Sequence, residues 1–367
     1  MMPKNRLLEF DRLRGLSILG VIIIHSTVQS LETSNNIIDN TILVFLNMLS
    51  RFAVPAFLVI SGFLITQEEI SNPDSTNKII SRRIKRVIPP YFLWSSIYYV
   101  LFLITGEAYA THQSLPIIFI EKLFTGTVTF HLFFLIMIAQ CYVLCFFGIG
   151  RGGHVGKFVL ISSIALQLSF IFLSYLAEIG PYFGPKVSYT LRFFQAYCRS
   201  FFPMFICFFM FGRWMGANYE KILELAKYKK YIFFFVIISF LLGLFEFLFL
   251  KEKINGIILL PQDWTLTTNI FAFAMIIFLL LHLRSLKQPK VDAVLIWAAK
   301  FSFILYLLHE PLLGYIVKNV YHSFPMLAKS QIVFQPIILV SGITMSVLIY
   351  KLISICIPSY AKKYLFG

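Results

Sequence analysis

The chain has 367 residues, 58% of them hydrophobic, 17% aromatic and 13% charged. Water-soluble domains are roughly a quarter charged, so this composition excludes a soluble globular protein and requires a membrane. The net charge of +15 would suit a polyanion, but the charges lie between apolar runs, and no nucleic-acid partner is expected.

Apolar runs fall near residues 13–31, 41–66, 87–106, 130–149, 157–177, 200–217, 231–250, 266–283, 299–317 and 332–357. At about twenty residues per crossing they predict an all-α polytopic membrane bundle of about ten transmembrane helices, in a single membrane-embedded domain. That domain is expected over residues 1–367. Basic residues gather at alternate helix ends: Lys4 and Arg6, Arg82 to Arg86, Arg151 and Lys157, Lys227 to Lys230, Arg284 to Lys290, and Lys362 with Lys363. The positive-inside rule then puts both termini in the cytoplasm. Asp11, Arg12 and Arg14 interrupt the start of the first run and no small-residue cleavage site follows it, so it reads as a retained helix. Cys141, Cys145, Cys198, Cys207 and Cys356 stand singly, without metal-ligand spacing, and no metal site is expected.

The first span reads Glu9-Phe10-Asp11-Arg12-Leu13-Arg14-Gly15-Leu16, then an apolar stretch, then His25-Ser26. At about 100° per residue, Asp11, Arg14 and His25 lie within roughly 60° of one another and project from one face. Arg14 and His25 are about 16 Å apart along the axis. Ionisable groups inside a bilayer are costly and normally face the bundle interior, so one reading is a long thin ligand that touches both. Coenzyme A has that shape, with phosphates at one end and a thioester at the tip of its pantetheine arm. The other reading assigns Arg14 to the positive belt and gives His25 a hydrogen bond to a neighbouring helix.

The second run holds Arg51, Pro55 and Ser61-Gly62-Phe63. Ser61 is either a ligand contact or, with Gly62, a helix-packing contact, whereas Arg51 needs a carboxylate, a water-filled cavity or a ligand. Before the third span, Arg82, Arg83, Lys85 and Arg86 precede Pro89-Pro90. Proline is favoured in a first helical turn, so cations are expected to meet a helix N-terminus, which suits phosphates; topology alone is the alternative. The fourth span opens with His131-Leu132-Phe133-Phe134-Leu135, and the ninth contains Tyr306-Leu307-Leu308-His309-Glu310-Pro311. His309, about ten residues into an outward helix, is expected at the depth of His25. Two histidines and an acid at one depth suit proton handling, although a membrane histidine also serves as a helix-to-helix donor.

Taken together, Asp11-x-x-Arg14-Gly15 with His25, Pro55 through Ser61-Gly62-Phe63, Arg82-Arg83-x-x-Arg86-x-x-Pro89, His131-Leu132-x-Phe134-Leu135 and Tyr306-x-x-His309-x-Pro311 resemble the acyltransferase 3 family. The matches run in order along nearly the whole chain. The resemblance implies a ten-helix bundle that takes an acyl group, usually acetyl, from cytoplasmic acyl-CoA to a hydroxyl of an extracytoplasmic envelope glycan or exopolysaccharide. His25 would be the essential histidine and Arg14 its paired arginine, while the Arg82 to Arg86 cluster would face the donor phosphates. Many members carry Trp where this chain has Phe133. Relatives that succinylate exopolysaccharides leave the acyl group open.

The expected enzyme is thus an O-acyltransferase of a bacterial plasma membrane, with Asp11, Arg14, His25, Tyr306 and His309 in the catalytic set. Ser61, Arg82, Arg83, Arg86 and His131 would bind the donor. No cofactor is expected to be held permanently, and the resemblance implies acyl-CoA, usually acetyl-CoA, as the donor substrate. The acceptor is a free or lipid-linked glycan, with polysaccharide synthesis or export proteins as further partners. Two rivals remain: a proton-coupled transporter or glycan flippase, and a scaffold subunit of a polysaccharide export system.

Overall fold

The computed structural model describes residues 7–33, 37–105, 115–150, 155–179, 200–253, 265–324 and 330–366. Lys4, Arg6, Arg151 and Cys198 lie outside them. Among the described residues every regular element is helical. In chain order the α-helices are α1 (Leu8–Thr33), α2 (Ile37–Leu49), α3 (Ala53–Ser71), α4 (Thr76–Thr105), α5 (Leu115–Thr125), α6 (Phe133–Phe146) and α7 (Lys157–Ile179). They continue as α8 (Ile206–Ala217), α9 (Tyr219–Glu224), α10 (Lys229–Lys253), α11 (Leu266–Arg284), α12 (Pro289–Ser323), α13 (Gln331–Cys356) and α14 (Ser359–Phe366). An apolar chain in lipid has no water for its backbone groups, and the α-helix satisfies them within one segment.

Among the described residues, eight helical segments are long and apolar enough to cross a membrane: Leu8–Leu31, Ile37–Ser71, Pro73–Thr105, Lys157–Leu176, Tyr219–Leu248, Leu266–Arg284, Pro289–Val320 and Val333–Cys356. The fourth and sixth apolar runs of the sequence correspond to two shorter helices, Phe133–Phe146 and Ile206–Ala217. At 1.5 Å per residue these reach about 21 and about 18 Å, short of the roughly 30 Å hydrocarbon core. The protein is an all-α, multi-pass membrane bundle.

Several boundaries differ from the sequence reading. The second run is broken by a 3-10 turn, Ser50–Phe52, so Arg51 sits at a joint and Pro55 falls in the first turn of α3. The expected helix start at Pro89-Pro90 is overturned. Helix α4 begins at Thr76, after a turn that has Pro73 at its first position, and both later prolines are inside it. The proline that favours a helix start is therefore Pro73, and the arginines ride on a helix already under way. His131 precedes α6 rather than opening it, and α12 begins at Pro289 rather than near 299.

The helices group into two compact units, Met1–Ile60 with Tyr219–Ile355 and Ser61–Asn218 with Cys356–Gly367. In the first, the most extensive contact is between α1 and α12. Gly15 permits it: a Cβ there would collide with the Leu295 carbonyl. Phe247 of α10 packs on Val44 and Met48 of α2. Asp39 accepts the backbone N–H of Gln331 at 3.0 Å, satisfying a donor at the start of α13.

In the second unit α4 lies against α6 and α7 against α8. Helices α3 and α8 approach through glycines from both sides. A Cβ on Gly62 would strike the Phe209 carbonyl, and one on Gly216 would come within 2.6 Å of the Thr66 Cβ. The Trp94 indole donates to the Leu365 carbonyl at 2.8 Å, tying α14 to α4. Cys141, Cys145 and Cys207 are buried and Cys356 is exposed.

Candidate active site

The charges at the start of α1 divide into two sets. Glu9 and Arg12 are buried and structural. Glu9 accepts from the Tyr219 hydroxyl at 2.7 Å and from Arg284 at 3.5 Å. Arg12 donates to Asp292 and to the Leu283 carbonyl, both at 2.6 Å. It thereby joins the last turn of α11 to the first turn of α12, a cation at one dipole's negative end paired with a carboxylate at the next dipole's positive end. Asp11 and Arg14 are half-buried on the other face. That face leads, about 16 Å further along α1, to half-buried His25.

His25 meets His309. Their ring centroids are 4.9 Å apart at an interplanar angle of 67°. His309 is fully buried, and its Nδ1 lies 2.9 Å from both the Leu305 and Tyr306 carbonyls. Carbonyls only accept, so Nδ1 carries the proton, and in the neutral ring the lone pair is on Nε2. The Tyr306 ring is 6.2 Å from that of His309. The expectation that His309 shares the depth of His25 is met by direct contact.

Buried polar side chains hold the turn of α1 that carries His25. Asn47 donates to the Ile24 carbonyl at 3.1 Å and to Thr27 at 2.8 Å. Its amide oxygen accepts from Arg51 Nε at 2.9 Å and Nη2 at 2.7 Å. Gln335 of α13 donates to Ser26 at 2.5 Å and accepts from Ser30 at 2.9 Å. Gln29 donates to the Glu310 carbonyl of α12 at 3.4 Å. Asn47 and Gln335 were visible in the sequence as polar residues within apolar runs, but nothing there says which helix they meet.

The second unit contains the other predicted residues. Ser61 and Tyr142 share a hydrogen bond of 2.7 Å, and the Arg83 guanidinium lies beside the Tyr142 phenol. Ser61 thus makes a polar contact while its neighbour Gly62 makes the packing contact. Arg83 and Arg82 both bind Glu68, at 2.9 and 3.4 Å. Arg86 is exposed. His131 stands apart from the arginines: it is buried against Thr129 at 3.2 Å, with its ring 5.8 Å from that of Tyr98. Tyr98 is about 18 Å along α4 from Arg86.

One strong feature of this unit was not singled out from the sequence. Arg213 is fully buried, pairs with buried Glu69 at 2.7 Å and also donates to the Gly150 carbonyl. Both charges sit in or beside apolar runs. Their partnership spans 144 residues and has no local signature.

A family profile described as an acyltransferase domain matches residues 7–351, a stretch that takes in residues of both units. The chain belongs to the acyltransferase 3 family. This acyltransferase 3 protein is also similar to the probable poly-beta-1,6-N-acetyl-D-glucosamine export protein of Staphylococcus aureus, at 23% identity over 327 residues, covering 85% of this chain and 83% of that one. The protein of the same name from Staphylococcus epidermidis is 23% identical over 326 residues, covering 85% and 82%. No solved structure matches. Family membership makes the protein a membrane acyltransferase, and acyl transfer is the chemistry against which the histidine pair has to be judged.

Proposed function

We propose that this protein is a membrane O-acyltransferase that moves an acyl group, with acetyl as the first candidate, from cytoplasmic acyl-CoA to a hydroxyl of an extracytoplasmic exopolysaccharide. Its setting is a bacterial plasma membrane, with both termini cytoplasmic. The observation that carries the reading is the contact between His25 and His309 in a chain of this family. An imidazole beside a neutral imidazole of fixed tautomer is suited to receive a proton and to keep the resulting charge solvated by nitrogen rather than hydrocarbon.

In the proposed reaction His25 takes the proton of the acceptor hydroxyl as its oxygen attacks the thioester carbon. The carbon–sulfur bond breaks, and the leaving thiolate takes that proton from the His25 imidazolium, giving free coenzyme A and restoring neutral His25. General-base help of this kind contributes about 10²–10⁴-fold, and the Tyr306 hydroxyl is a candidate donor to the developing oxyanion. Arg14, with Asp11 one turn before it, would steady an anionic part of the donor. Arg82, Arg83, Arg86 and Ser61 would receive its phosphates, and His131 would make a further contact to the donor. The acceptor is a free or lipid-linked polymer, supplied by polysaccharide synthesis or export proteins.

The names of the staphylococcal relatives favour a second reading, glycan export. Reconstituted protein given labelled acyl-CoA and poly-N-acetylglucosamine separates the two. Glycan-dependent release of coenzyme A with label on the glycan is the expected result. Vectorial movement of glycan without thioester cleavage would replace the enzyme with a carrier.

A further inference from the structure

Glu68 and Glu69 are neighbours near the end of α3, yet they face different partners. Glu69 is buried on Arg213 at 2.7 Å, with 1% and 0% of the two side chains exposed. A charge pair buried that completely cannot be turned out at low cost, so it fixes the rotation of this end of the helix. Glu68 lies about 100° further round and is thereby directed to the start of α4. The connection is short: the Asn72 N–H donates to the Glu68 carbonyl at 3.0 Å, and Pro73 opens the turn that leads into Thr76.

There the Glu68 carboxylate divides its oxygens between two guanidinium groups, Oε1 to Arg83 at 2.9 Å and Oε2 to Arg82 at 3.4 Å. Guanidinium groups present the same donors to a carboxylate and to a phosphate. Glu68 and Arg82 are well exposed, at 42% and 55%, whereas Arg83 is at 17%. The Glu68–Arg82 pair, exposed on both sides, holds weakly and exchanges readily, and the carboxylate that meets half-buried Arg83 is itself open to solvent. The same Arg83 lies beside the Tyr142 phenol that is bonded to Ser61, so whatever occupies the arginines is felt at a buried polar pair.

We propose that Glu68 is the resident anion of the donor's phosphate subsite. It occupies Arg82 and Arg83 while no donor is bound, and an incoming phosphate has to displace it. Glu68 thereby sets the affinity threshold for entry, which a weakly held monoanion does not reach and a multiply charged phosphate does. The inference rests on the reading of acyl-CoA as donor.

The test is coenzyme A binding to the purified full-length protein as wild type, Glu68→Gln and Asp74→Asn. The last removes an exposed carboxylate from the adjoining turn and so makes the same change in net charge. Removing a competitor whose carboxylate is open to solvent should tighten binding by about three- to tenfold in Glu68→Gln and leave Asp74→Asn close to wild type. Binding in Glu68→Gln that is unchanged, weaker, or tightened no more than in Asp74→Asn would overturn the role of Glu68 while leaving the donor reading intact. Failure of every variant, wild type included, to bind coenzyme A would overturn the donor reading and this inference with it.

Discussion

The ring of His25 meets that of His309 edge-on, their centroids 4.9 Å apart and their planes at 67°. The two residues come from helices far apart in sequence, and the contact depends on α1 and α12 running in close apposition. Because His309 Nδ1 is turned to the Leu305 and Tyr306 carbonyls, asparagine at this position can keep that hydrogen bond while removing the ring nitrogen directed away from it. His309→Asn should therefore leave the protein folded and coenzyme A affinity near wild type, with kcat lowered by about 10²-fold or more. Steady-state kinetics on reconstituted protein checks this, and an unchanged kcat would reduce His309 to a packing residue.

Gly15 sets how closely the two helices approach. Gly15→Ala would drive a methyl group into the Leu295 carbonyl, and backbone cannot give way as a flexible side chain does. Overpacking of this kind costs about 1–3 kcal/mol or more and should lower both thermal stability and activity. Gly156→Ala is the control: nothing lies within 4 Å of the added carbon, and the change should stay within about 0.5 kcal/mol. Melting curves in detergent compare the two.

Arg213→Met should destabilise strongly, by about 3–5 kcal/mol, because it leaves Glu69 buried without the guanidinium. Adding Glu69→Leu should recover much of that loss, since an apolar pair bears no desolvation penalty. A double-mutant cycle on thermal unfolding measures the recovery. Additive losses would show that the two side chains do not act as a pair.

Arg82→Ala combined with Arg86→Ala should weaken coenzyme A binding, and the loss should be larger at low salt, where exposed charges are least screened. Titrations at two ionic strengths read both effects. Equal affinity at each salt concentration would leave these arginines with topology alone.

Much of the fold was legible because lipid imposes one rule everywhere: an apolar run long enough to cross becomes a helix. Helical periodicity likewise placed Asp11, Arg14 and His25 on one face, and the depth of His309 followed from rise per residue. Pro89 and Pro90 misled because the start of a helix and its interior differ only in what precedes the proline. Here Pro73 had already opened the turn into the helix, and breaking it again within an apolar segment would expose backbone groups that lipid cannot satisfy. The turn at Ser50–Phe52, the Asn47–Arg51 contact and the Arg213–Glu69 pair were not legible. The Asn47–Arg51 contact is local, four residues apart, but it runs into a 3-10 turn that a continuous apolar run does not announce. The Arg213–Glu69 pair depends on a tertiary partner, and helical spacing along one segment does not specify which other segment lies opposite.

Acyl transfer measured in proteoliposomes with labelled acetyl-CoA and poly-N-acetylglucosamine, comparing wild type with His25→Ala, tests the catalytic claim most directly. Wild type should release coenzyme A in proportion to acceptor and label the glycan, whereas His25→Ala, inserted to the same level and still binding coenzyme A, should lose transfer by about 10²–10⁴-fold. A well-inserted His25→Ala protein that labels glycan at the wild-type rate would contradict catalysis by His25.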